Sequence, residues 1–464
     1  MEEKENLVEV DLERKEKFGI ILPIVLISYF LILLNNSLIF TSTVKISEEL
    51  QMNNLMVAWI SNAYALTFGG FLAFSAKLGD IIGRKKSLLT GLVIFSLASL
   101  LVGISQSATM IISMRALQGI GASLLAPATL ALLMDNYQGE QLTRAIAYYG
   151  ATAGIGSSLG MIIGGLIASY MSWRAGFYLD LIVGIILIVM SILGITNQKA
   201  THGAKIDWWG TITSVIGFSG LVYSLNGSSY RLVAFIVSIV TLIIFGYIES
   251  KVEHPLMPLV VFKDNQRISA LILRFFMLGA SMSYFFLMPQ ALQKVFGFSP
   301  LMASISFSPL MASISFLPLT VIQFIVSLYI PRLTARFSNT SVLIAGVVVD
   351  TLGFVLGSVI SINSGYWWGV AFPMIFLGIG QGLIMGPATV AGVAGTSGEI
   401  AGAASGVVNT FHQIGGAVGL AFISTMINGL KGADVMIDQA QFWMVVLAII
   451  MTVAAINILR GKHE

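Results

Sequence analysis

The chain has no cysteine among its 464 residues, and only 10% of them are charged. Without thiols there is no disulfide framework, no thiolate metal centre and no cysteine nucleophile. No Gly-x4-Gly-Lys-Ser/Thr loop occurs, so ATP hydrolysis within the chain is not expected. Acids and bases nearly balance, 22 Asp and Glu against 25 Lys and Arg, and a net charge of +3 gives no reason to expect nucleic acid as a partner. Nothing resembles a metal-ligand cluster, a nucleophile–base motif or an appended soluble domain, so neither an enzyme nor a receptor is expected, and no metal or cofactor. What fills the chain is apolar surface: 56% of residues are hydrophobic and the mean hydropathy is +0.89, far from a soluble domain.

Apolar windows of about 20 residues, long enough to cross a hydrocarbon core as a helix, recur along the chain. They begin near Phe18, Met56, Ser87, Thr109, Arg144, Phe177, Asp207, Arg231, Ile268, Pro309, Ser341, Trp367, Ala401 and Gln441. The expectation is an all-α membrane protein of 14 transmembrane helices, with both termini on one side. Of the 25 Lys and Arg, eighteen fall on the side of the N-terminus, five on the other, and two, Arg115 and Arg274, inside spans. That bias places both termini in the cytoplasm. Residues 1–17 mix seven acids with four bases, unlike a cleaved signal peptide, and read as a cytoplasmic tail.

Between the second and third spans lies a charged island, Ala76-Lys77-Leu78-Gly79-Asp80-Ile81-Ile82-Gly83-Arg84-Lys85-Lys86. So short a loop makes the two spans an antiparallel hairpin. Asp80, Gly83 and Arg84 sit where a carboxylate and a guanidinium reach helix ends and each other, as in a latch that one conformation forms and another breaks. Further on, Gly119-Ile120-Gly121 with Pro127-Ala128-Thr129 is echoed, one residue longer, by Gly378-Ile379-Gly380 with Pro387-Ala388-Thr389. Such an internal repeat suits a transporter built from two related bundles.

The charged island resembles the loop signature of the major facilitator superfamily, with Ala76 for the usual first glycine and Ile81 for the usual basic residue. Over nearly the whole chain the resemblance is closest to that family's fourteen-span drug:proton antiporter group. Met114 through Gly121 is similar to the fourth-span motif, whose arginine, here Arg115, is implicated in proton coupling. Gly150 to Gly165 is similar to the antiporter helix, with Gly156, Gly160 and Gly164 four apart on one face for close helix approach. Its usual Gly-Pro pair is Gly160-Met161 here. Trp173-Arg174 with Phe177, Asp207-Trp208-Trp209-Gly210, Glu253–Leu259 and Gly402–Gly416 also match. The resemblance implies six-helix bundles at 18–196 and 268–464, with a linker and two inserted central helices at 197–267. It further implies a monomer in the cell membrane that exports bulky apolar or cationic compounds in exchange for protons, by alternating access. Its partners are then small-molecule substrates, protons and the lipid bilayer. A dedicated exporter of a metabolite, lipid precursor or siderophore on the same fold is the alternative.

Four ionised side chains fall inside spans, where each costs at least ~2.5–3.5 kcal/mol and needs a reason. Arg115 either lines a central cavity and responds to an acid's protonation, or is pinned to backbone carbonyls at a helix crossing. Its matching acid is missing: the group carries Asp in a first-span Leu-Asp-x-Thr pattern, and this chain reads Leu34-Asn35-Asn36-Ser37. Asn35 and Asn36 retain the capacity to hydrogen-bond a substrate but hold no proton. Asp180, where the group usually has Asn, and Asp350, deep in the eleventh span, are the carboxylates left to cycle between neutral and charged. The alternative is that both are peripheral. His412 titrates in the useful range, or is a neutral histidine bonded to a neighbouring helix. Arg274 is expected to snorkel to the cytoplasmic interface. Phe275, Phe276, Tyr284, Phe285, Phe286 and Met288 are candidates for an adaptable apolar pocket, or simply packing.

Ser299–Phe307 and Ser308–Phe316 are identical nine-residue blocks in tandem. Both copies in one straight helix would overrun the hydrocarbon core, so the block is expected as an outer extension or as a broken helix start at Pro309, and deletion of Ser299–Phe307 should leave folding and transport nearly unchanged.

Overall fold

The computed structural model describes residues 18–196, 207–227, 229–253, 255–257, 259–296, 314–396 and 398–460, and among these there are helices and turns but no strand. The long helices are α1 Ile21–Glu49, α2 Asn54–Ile82, α3 Arg84–Gly103, α4 Ala108–Asn136, α5 Gly139–Tyr170, α6 Arg174–Gly194 and α7 Trp208–Asn226. They continue as α8 Arg231–Glu249, α9 Asn265–Val295, α10 Leu317–Phe337, α11 Asn339–Val359, α12 Phe372–Gly392, α13 Gly398–Met426 and α14 Ala433–Arg460. Several begin on a side-chain cap: Asn53, Ser107, Asp207 and Asp264 each accept from the backbone N–H three residues on. Among the described residues, twelve helices are long and apolar enough to cross a membrane. The outer faces are greasy: Leu232 on α8 is 70% exposed and Leu193 on α6 80% exposed, the reverse of a water-soluble protein.

The tandem block lies outside the described residues apart from Ile314–Phe316, and so does the expected break at Pro309. The described tenth helix starts at Leu317, directly after the second copy, with Pro318 in its first turn, where a missing N–H costs nothing.

The packing repeats with a step of eight in helix number. The pairs α1·α5, α1·α6, α2·α4, α3·α4 and α3·α6 recur as α9·α13, α9·α14, α10·α12, α11·α12 and α11·α14. The register repeats as well. A Cβ on Gly91 would stand 3.0 Å from the Gly121 carbonyl oxygen, and one on Gly346 3.2 Å from that of Gly380. A Cβ on Gly121 would stand 2.7 Å from the Phe95 nitrogen, and one on Gly380 2.5 Å from that of Asp350. The glycine strings legible in the sequence are therefore equivalent helix crossings, and Asp350 occupies the place that Phe95 holds in the first half.

The same equivalence reaches the loops. Gly83, between α2 and α3, has φ 94° and ψ 144°, and Ser338, between α10 and α11, has φ 70° and ψ 153°. Only glycine visits that region cheaply, so Ser338 holds strain of roughly 1–3 kcal/mol. Its hydroxyl caps α11 at Ser341 N, 3.3 Å away, and exchanging a Ser cap for Gly loses only a few tenths of a kcal/mol. Ser338→Gly should therefore stabilise the protein by ~1 kcal/mol, seen as a higher unfolding temperature in detergent; a lower one would contradict this reading.

The halves meet along α2·α13, α1·α9 and α5·α10, with α7 against both α2 and α13. Toward the end that carries Glu49 the seam is apolar and closed: Val57 and Ala58 pack with Phe286 and Leu420, and Phe40 stacks on Phe285 at 6.1 Å. Toward the Arg84 end Tyr148 on α5 and Leu328, Tyr329 and Phe337 on α10 are exposed.

Candidate functional site

Arg115 lies on α4 and is 1% exposed. Its Nε donates to the Ile60 carbonyl at 3.1 Å, and Nη1 donates both to Gln118 Oε1 at 2.7 Å and to Asn35 Oδ1. The guanidinium lies 4.3 Å from the centre of the Tyr64 ring. Asn35, on α1, passes the contact on: its Nδ2 donates to Asp180 Oδ2 on α6 at 2.6 Å. On the other side Gln118 Nε2 donates to Ser99 Oγ on α3 at 2.7 Å. Asp180, Asn35, Arg115, Gln118 and Ser99 thus form one buried line across α6, α1, α4 and α3. Buried charges are tolerable only when their remaining donors and acceptors are satisfied; among the described residues Asp180 Oδ1 and the neighbouring Tyr64 hydroxyl lack a partner here.

The carboxylate linked to Arg115 is therefore on α6, with an amide at Asn35 where the resemblance implies the carboxylate and a carboxylate at Asp180 where it implies the amide. Asp180 is not peripheral. Sequence reasoning missed Gln118, Ser99 and Tyr64. Gln118 was within reach of it, being three residues from Arg115 and so on the same helix face.

Other expected site residues lie elsewhere. Asp350 is fully buried at the α11·α12 crossing, neither of its oxygens has a hydrogen-bond partner, and α11 packs on α10, α12 and α14. His412, on α13, is 8% exposed, within hydrogen-bonding reach of the Arg274 backbone, with Nδ1 unpartnered. Half-buried Asn36 has no side-chain partner among the described residues. Arg274 does not snorkel. It is 3% exposed and donates to Met385 on α12, because its position on α9 points it at a neighbouring helix rather than along the membrane normal. Tyr284, Phe286 and Met288 are buried core residues, and of the three Phe286 also lines a pocket. A pocket lined by Phe286, Gln290, Lys294, Ser424, Ala433 and Ile437 lies between α9, α13 and α14 and shares no residue with the polar line.

The glycine stripe of α5 is the seat of α1. A Cβ on Gly156, Gly160 or Gly164 would stand 2.7, 2.8 or 2.7 Å from Leu33, Ser37 or Thr41, which are themselves four apart. Gly160→Leu should pry α1 from α5 and cost several kcal/mol, in the range of severe overpacking; loss of the monodisperse peak on gel filtration in detergent is the readout, and a normally folded variant would contradict it.

Around the charged island Arg84 pairs with Asp80, reaches Asp135 on α4 at 3.8 Å and the Ala76 carbonyl at 3.4 Å. Lys85 donates to the Ile192 and Ile195 carbonyls at the C-terminal end of α6, at 2.9 and 2.5 Å. The contacts of this cluster join α2, α3, α4 and α6. At the opposite end Glu49 accepts from Trp173 Nε1 at 2.6 Å and pairs with Arg174, which also donates to the Ser105 carbonyl at 2.7 Å.

A helical molecule with repeated halves, an apolar exterior and a charged line buried among its long helices is a multi-pass membrane protein. The Major Facilitator Superfamily profile matches residues 25–420, and the chain belongs to that family. It is 27% identical over 427 residues to the multidrug transporter protein MdtP of Bacillus subtilis, covering 90% of this chain and 77% of that protein. To the cephamycin export protein CmcT of Amycolatopsis lactamdurans it is 28% identical over 412 residues, covering 86% and 83%. Among solved structures, that of the nucleoside transporter NupG superposes with a TM-score of 0.68 at 14% identity, covering 96% of this chain and all of that one.

Proposed function

We propose that this protein is a proton-coupled exporter of bulky, largely apolar compounds that works by alternating access, with Asp180 carrying the coupled proton. The observation that carries the reading is the buried line from Asp180 through Asn35 to Arg115: one titratable acid relayed to one fixed cation inside a span. When Asp180 is ionised the guanidinium is held toward α1 and α6; when it is neutral that pull ends, and Arg115 is free to repack against Gln118 and Ile60. Proton occupancy then biases which arrangement of α1, α4 and α6 is favoured. Relatives named for multidrug transport and antibiotic export support the efflux direction.

In this reading all fourteen helices cross the membrane and both termini are cytoplasmic. The six-helix bundles are 18–196 and 268–464, with α7 and α8 inserted between them, in a monomer. The closed Glu49 end and the exposed Arg84-end faces of α5 and α10 correspond to an inward-facing state, and the Asp80–Arg84 cluster, seated within the first bundle, is the latch that rearranges on turnover. The glycines of α5 let α1 slide on a smooth face. In proteoliposomes, collapse of the proton gradient should stop efflux, while ATP should have no effect. Efflux that persists without any ion gradient overturns the mechanism. A dedicated exporter is supported by the relative named for a single antibiotic class, and a panel of chemically unrelated substrates separates it from a multidrug one.

A further inference from the structure

Among the described residues two arginines are buried, Arg115 and Arg274, and their surroundings treat them differently. Arg115 is saturated by Ile60, Asn35, Gln118 and the Tyr64 ring, with Asp180 one residue away. Arg267, at the start of α9, spends its guanidinium on the Val261, Ala394 and Val260 carbonyls at 3.1, 2.9 and 3.0 Å, a purely structural fastening. Arg274, two turns further on, is as buried as Arg115 but has neither arrangement. Its acceptors are the Met385 carbonyl at 3.5 Å and the Met385 sulfur at 3.1 Å, and its Nε donor has no partner. A guanidinium carries five N–H donors and does not lose its charge, so this one is both under-bonded and uncompensated.

No carboxylate among the described residues pairs with it. The titratable groups that face it are Tyr29 from α1 and His412 from α13, whose Nδ1 is also unpartnered. Asp350, in the same half, lies at the α11·α12 crossing instead. Arg274 therefore sits on the seam between the halves, on α9, with α1 across from it. There Tyr29 stacks on Tyr149 at 4.1 Å, and the Tyr149 hydroxyl lies 3.3 Å from Thr129 Oγ1. A cation with unused donors opposite a stacked aromatic pair recognises a ligand with two features, an anionic head and a planar apolar body.

We infer that Arg274 and His412 form the binding site for the acidic group of an amphiphilic organic acid, with Tyr29 and Tyr149 receiving its apolar body. The inference rests on the transport reading and narrows its substrate class: Arg115 is linked to Asp180 through Asn35, whereas Arg274 has no carboxylate beside it among the described residues, Asp350 lying at the α11·α12 crossing, and the substrate brings the anion. The expected cationic substrates are then the wrong sign for this seam.

The test uses three matched fluorescent probes, dansyl-leucine, its carboxamide, and a dansyl alkyl-trimethylammonium, titrated onto the purified full chain in phospholipid-free detergent. The acid should bind about ten- to a hundredfold more tightly than the amide, the worth of charge-assisted hydrogen bonds, and the cation most weakly. Arg274→Gln should erase the difference between acid and amide, bringing acid affinity down to that of the amide, and Arg274→Lys should keep part of the difference. Acid and amide binding alike in the unaltered protein, or no binding of any probe, overturns the inference whatever the variants do. Displacement of the acid by phosphatidylglycerol at lower concentration than by unlabelled N-acyl-leucine would assign the anion to a lipid and also overturn it. Flux in proteoliposomes is scored separately: acid-selective binding without flux of any probe refutes export and leaves the anion site standing, while efflux of the amide and cation alone supports export and refutes the site.

Discussion

Asp180→Asn should reduce ligand-driven proton flux by about two orders of magnitude or more, the scale of losing an obligate proton-transfer group. The variant keeps the size and the hydrogen bond to Asn35 and leaves Arg115 its bonds to Ile60 and Gln118, so folding should be little affected. Ligand counterflow, which needs no net proton movement, should survive. The more discriminating variant moves the carboxylate back across the helix contact. In the double substitution Asn35→Asp with Asp180→Asn the acid lies against Arg115 directly and the amide lies on α6, with the same two groups in the same two places but exchanged. Proton flux should return to a large fraction of the original. Flux measured with a trapped pH dye in proteoliposomes decides it. A single Asp180→Asn variant that still couples would remove Asp180 as the carrier and return the question to Asp350 and His412.

Arg115→Ala should be the most damaging single change in the first half. It leaves Asn35 Oδ1 and Gln118 Oε1 without their donor, takes the side-chain donor from the Ile60 carbonyl, and removes the cation linked to Asp180 through Asn35, all at buried positions. Removing one partner from such a buried arrangement costs ~3–5 kcal/mol, so both the unfolding temperature and coupled transport should fall. Arg115→Lys separates charge from geometry. An ammonium on a flexible stem restores the positive charge and reaches one of Asn35 or Gln118, but lacks the fork that also serves Ile60 and the planar face that lies over Tyr64. Most of the stability should return and most of the transport should not. Full transport by Arg115→Lys would mean that charge alone matters there and that the relay geometry drawn above is incidental.

Much of this site was legible residue by residue. Arg115 stands out because a charge in an apolar run needs a reason, and the string Met114–Gly121 supplies one. What could not be read was the pairing. Asp180 and Asp350 look alike in sequence, each a lone carboxylate in an apolar helix, and nothing along the chain ranks one above the other as the partner of Arg115. In the folded chain Asp180 meets Asn35, 145 positions away, whereas Asp350 takes the place of Phe95 at an internal helix crossing. Arg274 was misjudged for the same reason: snorkelling is a property of a helix in lipid, and α9 is enclosed by α12, α13, α14 and α1.

The sequence alone determined that the chain is a bundle of long apolar helices, that its two halves are related, and that the stripe Gly156, Gly160 and Gly164 admits a close neighbour. These follow from period and composition, which act along one helix at a time: burial of backbone polar groups in lipid forces helices, and small residues four apart always make a flat face. Only the tertiary structure decided that the neighbour is α1, that the acid linked to Arg115 comes from α6 by way of an amide, and that no acid among the described residues pairs with Arg274. Those depend on the rotation of each helix about its own axis, where one residue's shift turns a side chain by about 100°. That rotation is set by the summed packing of several helices far apart in the chain, and no local pattern records it.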